Sequence, residues 1–132
     1  MRLPAFLFLT LFLFPALASA GPVEDGRAAL KKGDYETGIK LIQPLADQGD
    51  VEAERMVGAA YWGGWGVDKD YAASYFWLGL VKKSTGGVMP GWSDKDELVL
   101  KSSASHLTPD QIATADKKVA EWKPTAAPGA LK

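Results

Sequence analysis

The chain has 132 residues, with 15 Lys and Arg against 16 Asp and Glu, a formal net charge of −1 and 47% hydrophobic residues. That length suggests one domain, and a near-neutral, well-mixed charge argues against nucleic-acid binding as the main role. Cysteine is absent, so disulfides and thiolate metal sites are excluded and the core alone must stabilise the fold. Asparagine is absent too, so there is no N-glycosylation sequon.

The first 20 residues differ from the rest. Met1-Arg2 gives a positive start, Leu3 to Phe14 is apolar apart from Thr10, Pro15 breaks the run, and Ala18-Ser19-Ala20 places small residues at a cleavage position. This is the pattern of a secretory signal peptide, with cleavage expected after Ala20. The apolar run is short for a span of about 30 Å of hydrocarbon, so no stable membrane insertion is expected after cleavage. The processed chain has 112 residues, and losing Arg2 moves its net charge from −1 to −2. A chain of about 110 residues can bury on the order of two thirds of its unfolded surface. The expected location is the periplasm of a bacterium, or the medium.

Six helices follow in order. Glu24 to Lys32 reads as a short first helix, acidic at its start, basic at its end, with Gly33 as its C-cap. Asp34 can cap a second helix, in which Tyr35, Ile39, Ile42 and Leu45 share one face. Pro44 lies inside it and is expected to kink it. Asp50 caps a third helix, Val51 to Trp62, which is rich in small residues. Gly58 in its interior costs about 1 kcal/mol relative to Ala, a cost usually offset by close approach of another helix. Gly63, Gly64 and Gly66 turn the chain, and Asp70 caps the fourth helix, Tyr71 to about Lys83. After the breakers Gly86-Gly87 and Pro90-Gly91, Ser93 opens a fifth helix running to about Ser105. Thr108-Pro109-Asp110-Gln111 is a capping box with Pro at the first helical position, and Ile112, Ala115, Val119 and Trp122 line one face of the sixth helix. Pro124 stops it, and 124–132 is expected to form a flexible tail. No segment alternates as a strand would, so the fold class is all-α, with the helices pairing as three hairpins.

Asp34-Tyr35 and Asp70-Tyr71 lie 36 residues apart, and Ile39, Ile42 and Leu45 match Tyr75, Leu78 and Val81 at the same offset. Two helices per period in the mid-thirties is the mark of an α-solenoid. The stretch from Val57 to Trp77 resembles the Sel1-like repeat family, a relative of the tetratricopeptide repeats. Gly58, Tyr61, Gly64, Gly66, Val67, Asp70 and Trp77 stand at the family's pattern positions, whereas Val57 replaces its Leu and Ser74 its Ala. The resemblance implies a short right-handed solenoid: a partial repeat over about 24–49, the best repeat over about 50–86, and a divergent C-terminal hairpin over 92–122. Together these make one domain over 21–123. The pattern residues have structural work: close approach at Gly58, turn geometry at Gly64 and Gly66, packing by Tyr61 and Trp77, capping by Asp70.

No constellation declares chemistry. His106 is the one histidine and lacks the company of a zinc site. Ser103 and Ser105 are near it, but no nucleophile elbow presents them. The resemblance raises β-lactam recognition. However, S-x-x-K does not occur, Ser93-Asp94-Lys95 lacks the Asn of S-D-N, and Lys83-Ser84-Thr85-Gly86 is a broken K-T-G. Gly64-x-Gly66 has no third glycine for a nucleotide. Most carboxylates sit at helix starts, where capping explains them. No catalytic, metal or cofactor residues are therefore expected.

What remains is recognition. Trp62, Trp65 and Trp92 lie in or near turns, where tryptophan either packs under a loop or anchors a partner. Arg55 and Glu54, on the small-residue third helix, could both face the concave side that solenoids use for binding. The expected function is a non-enzymatic adaptor in the cell envelope that binds a protein or peptide. The alternatives are an envelope hydrolase or cell-wall/β-lactam-binding protein, and a secreted inhibitor or immunity-type protein.

Overall fold

The computed structural model describes residues 21–126. The expected signal peptide, and residues 127–132 of the expected tail, lie outside them. Six helices form: α1 (Pro22–Lys31), α2 (Tyr35–Asp47), α3 (Val51–Gly63), α4 (Tyr71–Thr85), α5 (Asp94–Ser105) and α6 (Pro109–Glu121), with no strand among the described residues. The fold class is all-α.

The helices begin where the side chains can satisfy free backbone N–H groups. The Asp34, Asp50 and Asp70 carboxylates accept from the N–H of Thr37, Ala53 and Ala73, and Ser93 and Thr108 accept from Asp96 and Gln111. Each such cap contributes about 1 kcal/mol. Both Ser93–Asp96 and Thr108–Gln111 form complete, reciprocal capping boxes. The Ser93 box uses Asp in place of the usual Glu or Gln. Pro22 at the first helical turn starts α1 two residues earlier than Glu24. Helix α2 runs on through Pro44, whose ring lies on the exposed side.

Glycines set the helix crossings. A Cβ on Gly26 in α1 would overlap Ile42 of α2, and one on Gly38 in α2 would lie 2.6 Å from Leu30 Cδ2 of α1. A Cβ on Gly58 in α3 would lie 2.9 Å from Leu78 Cγ of α4. Ile42 and Leu78 are the residues paired by the 36-residue offset, so one glycine-against-aliphatic contact is used in both helix pairs. The packing is repeat-like in this sense. Gly79 of α4 receives Val119 of α6 at 2.9 Å in the same manner.

The last two helices are arranged differently from the hairpin expected for them. Both α5 and α6 pack on α4. Neither contains a glycine, so they lack the close crossing of the first two pairs, and the glycine that admits α6 belongs to α4.

Two apolar clusters result. Ile42, Ala46, Ala53, Val57, Trp77 and Leu80 form the first, sealed from α6 by Val119 and Trp122. Leu78, Val81, Trp92 and Leu100 form the second, joining α4 to α5. Beyond α6 the chain turns back. Trp122 is its extended C-cap, Pro124 packs over Gly49, and Thr125 donates from its N–H and its hydroxyl to the Asp47 carbonyl, at 2.8 and 3.0 Å. That carbonyl is one of the orphans at the end of α2, so the residues after α6 close the first helix pair.

Candidate interaction surface

The loop between α3 and α4 is built to hold one aromatic ring in place. Gly64 ends α3 in the left-handed region at φ 71°, where its N–H and that of Trp65 both reach the Ala60 carbonyl. Gly66, at φ 73°, lies so close to the backbone of Tyr35 and Glu36 that any side chain would strike it. The loop is therefore docked on the first turn of α2. Asp70 N–H closes it by donating to the Tyr61 carbonyl at 2.9 Å.

Trp65 is the residue displayed. It lies over Gly63, stacks on Tyr35 with centroids 6.3 Å apart, and meets the edge of Trp62 at 6.2 Å. Even so, Trp65 is 41% exposed and Tyr35 42%. Between this aromatic wall and α1 lies a cavity of about 290 Å³. Leu30, Met56, Ala59 and Ala60 supply apolar lining, and Arg27 and Lys31 carry its charges.

The other expected anchors are committed to the fold. Trp92 is 5% exposed; its indole N–H donates to Glu97 at 3.0 Å, and the Lys82 ammonium lies over its ring at 5.5 Å. Lys82 and, second, that indole N–H hold the Glu97 carboxyl below its ordinary range. Trp62 is half-buried, and its indole N–H donates to Ser102 of α5 at 3.0 Å.

Arg55 is the centre of a polar chain across three helices. Its Nε donates to both oxygens of Asp96 at 3.1 Å, its Nη1 to Glu52 at 2.7 Å, and its Nη2 to the Gly91 carbonyl at 2.6 Å. Glu52 also accepts from Arg27 of α1 at 3.0 Å. Helices α1, α3 and α5 are thus linked side by side, and Arg55 has little left to offer a partner. Glu54, read beside it as a groove residue, points inward instead. It is 1% exposed, and its Oε2 has no hydrogen-bond partner. Burial, then the nearby Asp50 charge, pushes its carboxyl up to about 7.

His106 stacks on Tyr71 with ring centroids 3.9 Å apart, and its Nδ1 lies 2.8 Å from the Ser102 carbonyl. A carbonyl only accepts, so Nδ1 carries the proton. The Ser105 hydroxyl donates to the same carbonyl at 2.7 Å. A further cleft of about 460 Å³ lies between α4 and α6, with Asp70, Asp110 and Lys118 at its rim and Phe76 in its wall. Asp70 is occupied there as the cap of α4.

Sequence reasoning missed Tyr35 as the stacking partner of Trp65 and Leu30 as part of the wall of the same groove. The signal that could have found them is the short α1–α2 loop, which brings the end of α1 beside Tyr35. Among the described residues no helix is long and apolar enough to cross a membrane. No family model, curated protein or solved structure matches the chain.

Proposed function

We propose that the chain is an exported Sel1-like repeat protein, a short right-handed α-solenoid that serves as a non-enzymatic protein–protein interaction module in the bacterial cell envelope. The observation that carries this reading is the held but uncovered Trp65–Tyr35 pair beside the α1–α3 groove. A large aromatic ring fixed before binding gives contact area with little further loss of conformational freedom. The recurrence of the Gly26–Ile42 contact as Gly58–Leu78 supports the repeat reading. The 36-residue period and the signal-like leader supply the rest.

In-cell crosslinking of the tagged protein, followed by mass spectrometry of the adducts, tests this function. A reproducible envelope protein that is lost with Trp65→Ala supports it. Turnover of cell-wall fragments by the purified protein, with no protein adduct, would replace it with the hydrolase alternative.

A further inference from the structure

The groove has a charge sign as well as a shape. Its charged lining side chains are Arg27 and Lys31, and no carboxylate lines it. Arg27 gives Nη2 to Glu52 and remains 42% exposed. Lys31 is exposed at the last turn of α1 and has no ion-pair partner among the described residues. Lys32 follows it. In a chain of net charge −1, this rim is a local positive feature.

The volume narrows the occupant further. About 290 Å³ is at the low end of small-molecule sites, which run from about 300 to 1,000 Å³. It suits one large apolar side chain, with the segment that carries it lying across the rim. Leu30, Met56 and Ala60 would take the side chain from below and Trp65 from one end.

We infer that this groove takes an acidic peptide segment, in which one aromatic or branched aliphatic residue fills the cavity and flanking Asp or Glu side chains meet Lys31 and Arg27. The inference rests on the interaction-module reading and names the chemistry of its partner. Salt sensitivity follows, because a rim pair in water is screened over about 8 Å at physiological ionic strength. The charges act chiefly by steering and orienting the segment, and a faster association at an unchanged dissociation rate lowers Kd in proportion.

Three synthetic peptides of equal length, with one Phe flanked by Glu, by Ala or by Lys, test it on the purified protein by fluorescence anisotropy. Saturable binding in the order Glu, Ala, Lys is expected, with steps of about 5-fold. Lys31→Glu should weaken the Glu peptide by about 5- to 10-fold and strengthen the Lys peptide. Trp65→Ala should remove binding of all three, and unchanged helical melting of Lys31→Glu keeps its result free of folding effects. Equal binding of the three peptides, a reversed order, or no saturable binding of the Glu peptide would overturn the inference. If one of these occurs while a crosslinked envelope partner still depends on Trp65, the acidic-peptide assignment fails and the interaction module stands. If that partner is also absent, both fail.

Discussion

The Arg55 guanidinium and the Asp96 carboxylate meet at 3.1 Å across 41 residues of sequence, joining α3 to the first turn of α5. Asp96 is nearly buried, and Ser93 also donates to it from its N–H and hydroxyl. Removing Arg55 leaves a buried carboxylate short of a partner. Breaking a fully buried pair costs about 3–5 kcal/mol, but Arg55 is 27% exposed, so Arg55→Ala is expected to cost about 2 kcal/mol. Chemical denaturation of Arg55→Ala, Asp96→Asn and the double variant gives the coupling, expected at about 1–2 kcal/mol. Arg55→Lys should not restore stability, since one ammonium cannot reach Asp96, Glu52 and the Gly91 carbonyl together.

Glu54 makes the stability pH-dependent in an unusual direction. Its carboxyl stands at about 7 in the folded chain against an ordinary 4.5, so the folded state holds the proton more tightly than the unfolded state. Its contribution is fully present below about pH 4.5, declines as pH rises, and is lost above about pH 7. The full difference is on the order of 3 kcal/mol. Glu54→Gln should therefore raise the melting temperature at about pH 8 and change it little at about pH 4.5, with thermal melts across that range as the check. A wild-type profile that rises through this window and is unaltered by the substitution would contradict the assignment.

The glycine crossings give a packing test. Gly58→Leu is expected to lower the melting temperature, because even a Cβ would sit 2.9 Å from Leu78 Cγ. Overpacking of this kind costs about 1–3 kcal/mol, and Gly58→Ala recovers up to about 1 kcal/mol from helix propensity. Shortening the opposing side chain with Leu78→Ala should make Gly58→Ala less costly than in the wild-type background. Additive effects by calorimetry would refute close contact there.

Much of this fold could be read from the sequence. Asp34, Asp50, Asp70, Ser93 and Thr108 mark helix starts because a short polar side chain before an apolar period has one good use. The 36-residue offset identified Ile42 and Leu78 as equivalents. The arrangement of α5 and α6 was not legible, since α6 docks on a glycine of α4, Gly79, and α5 on the Leu78 and Val81 side of the same helix, neither of which their own periodicity announces. Glu54 shows the limit more sharply. Local pattern cannot distinguish an exposed acid beside Arg55 from a buried one, because one residue of helix is a turn of about 100°. The same holds for the tryptophans. Trp62, Trp65 and Trp92 look alike in the sequence, and only the contacts with Ser102, Tyr35 and Glu97 separate them.

The return of the chain after α6 was also invisible locally. Thr125 joins the end of α2 over 78 residues. Deleting residues 124–132 removes both bonds to the Asp47 carbonyl and the Pro124 packing on Gly49. A loss of about 1–2 kcal/mol is expected, read as a lower denaturation midpoint with an unchanged far-UV spectrum. No change in midpoint would mean that the contact does not hold the two ends of the domain together.

Site-specific photocrosslinking in the native host shows whether the α1–α3 groove meets a partner. A photoreactive residue is placed at Lys31 or Lys32, both exposed beside the groove, with Trp65 left intact, and at Lys118 on α6 as the comparison. The expected result is one defined envelope-protein adduct from positions 31 and 32 and none from 118. Adducts of equal pattern from all three positions, or none from the groove, would contradict an interaction module that works through the α1–α3 surface.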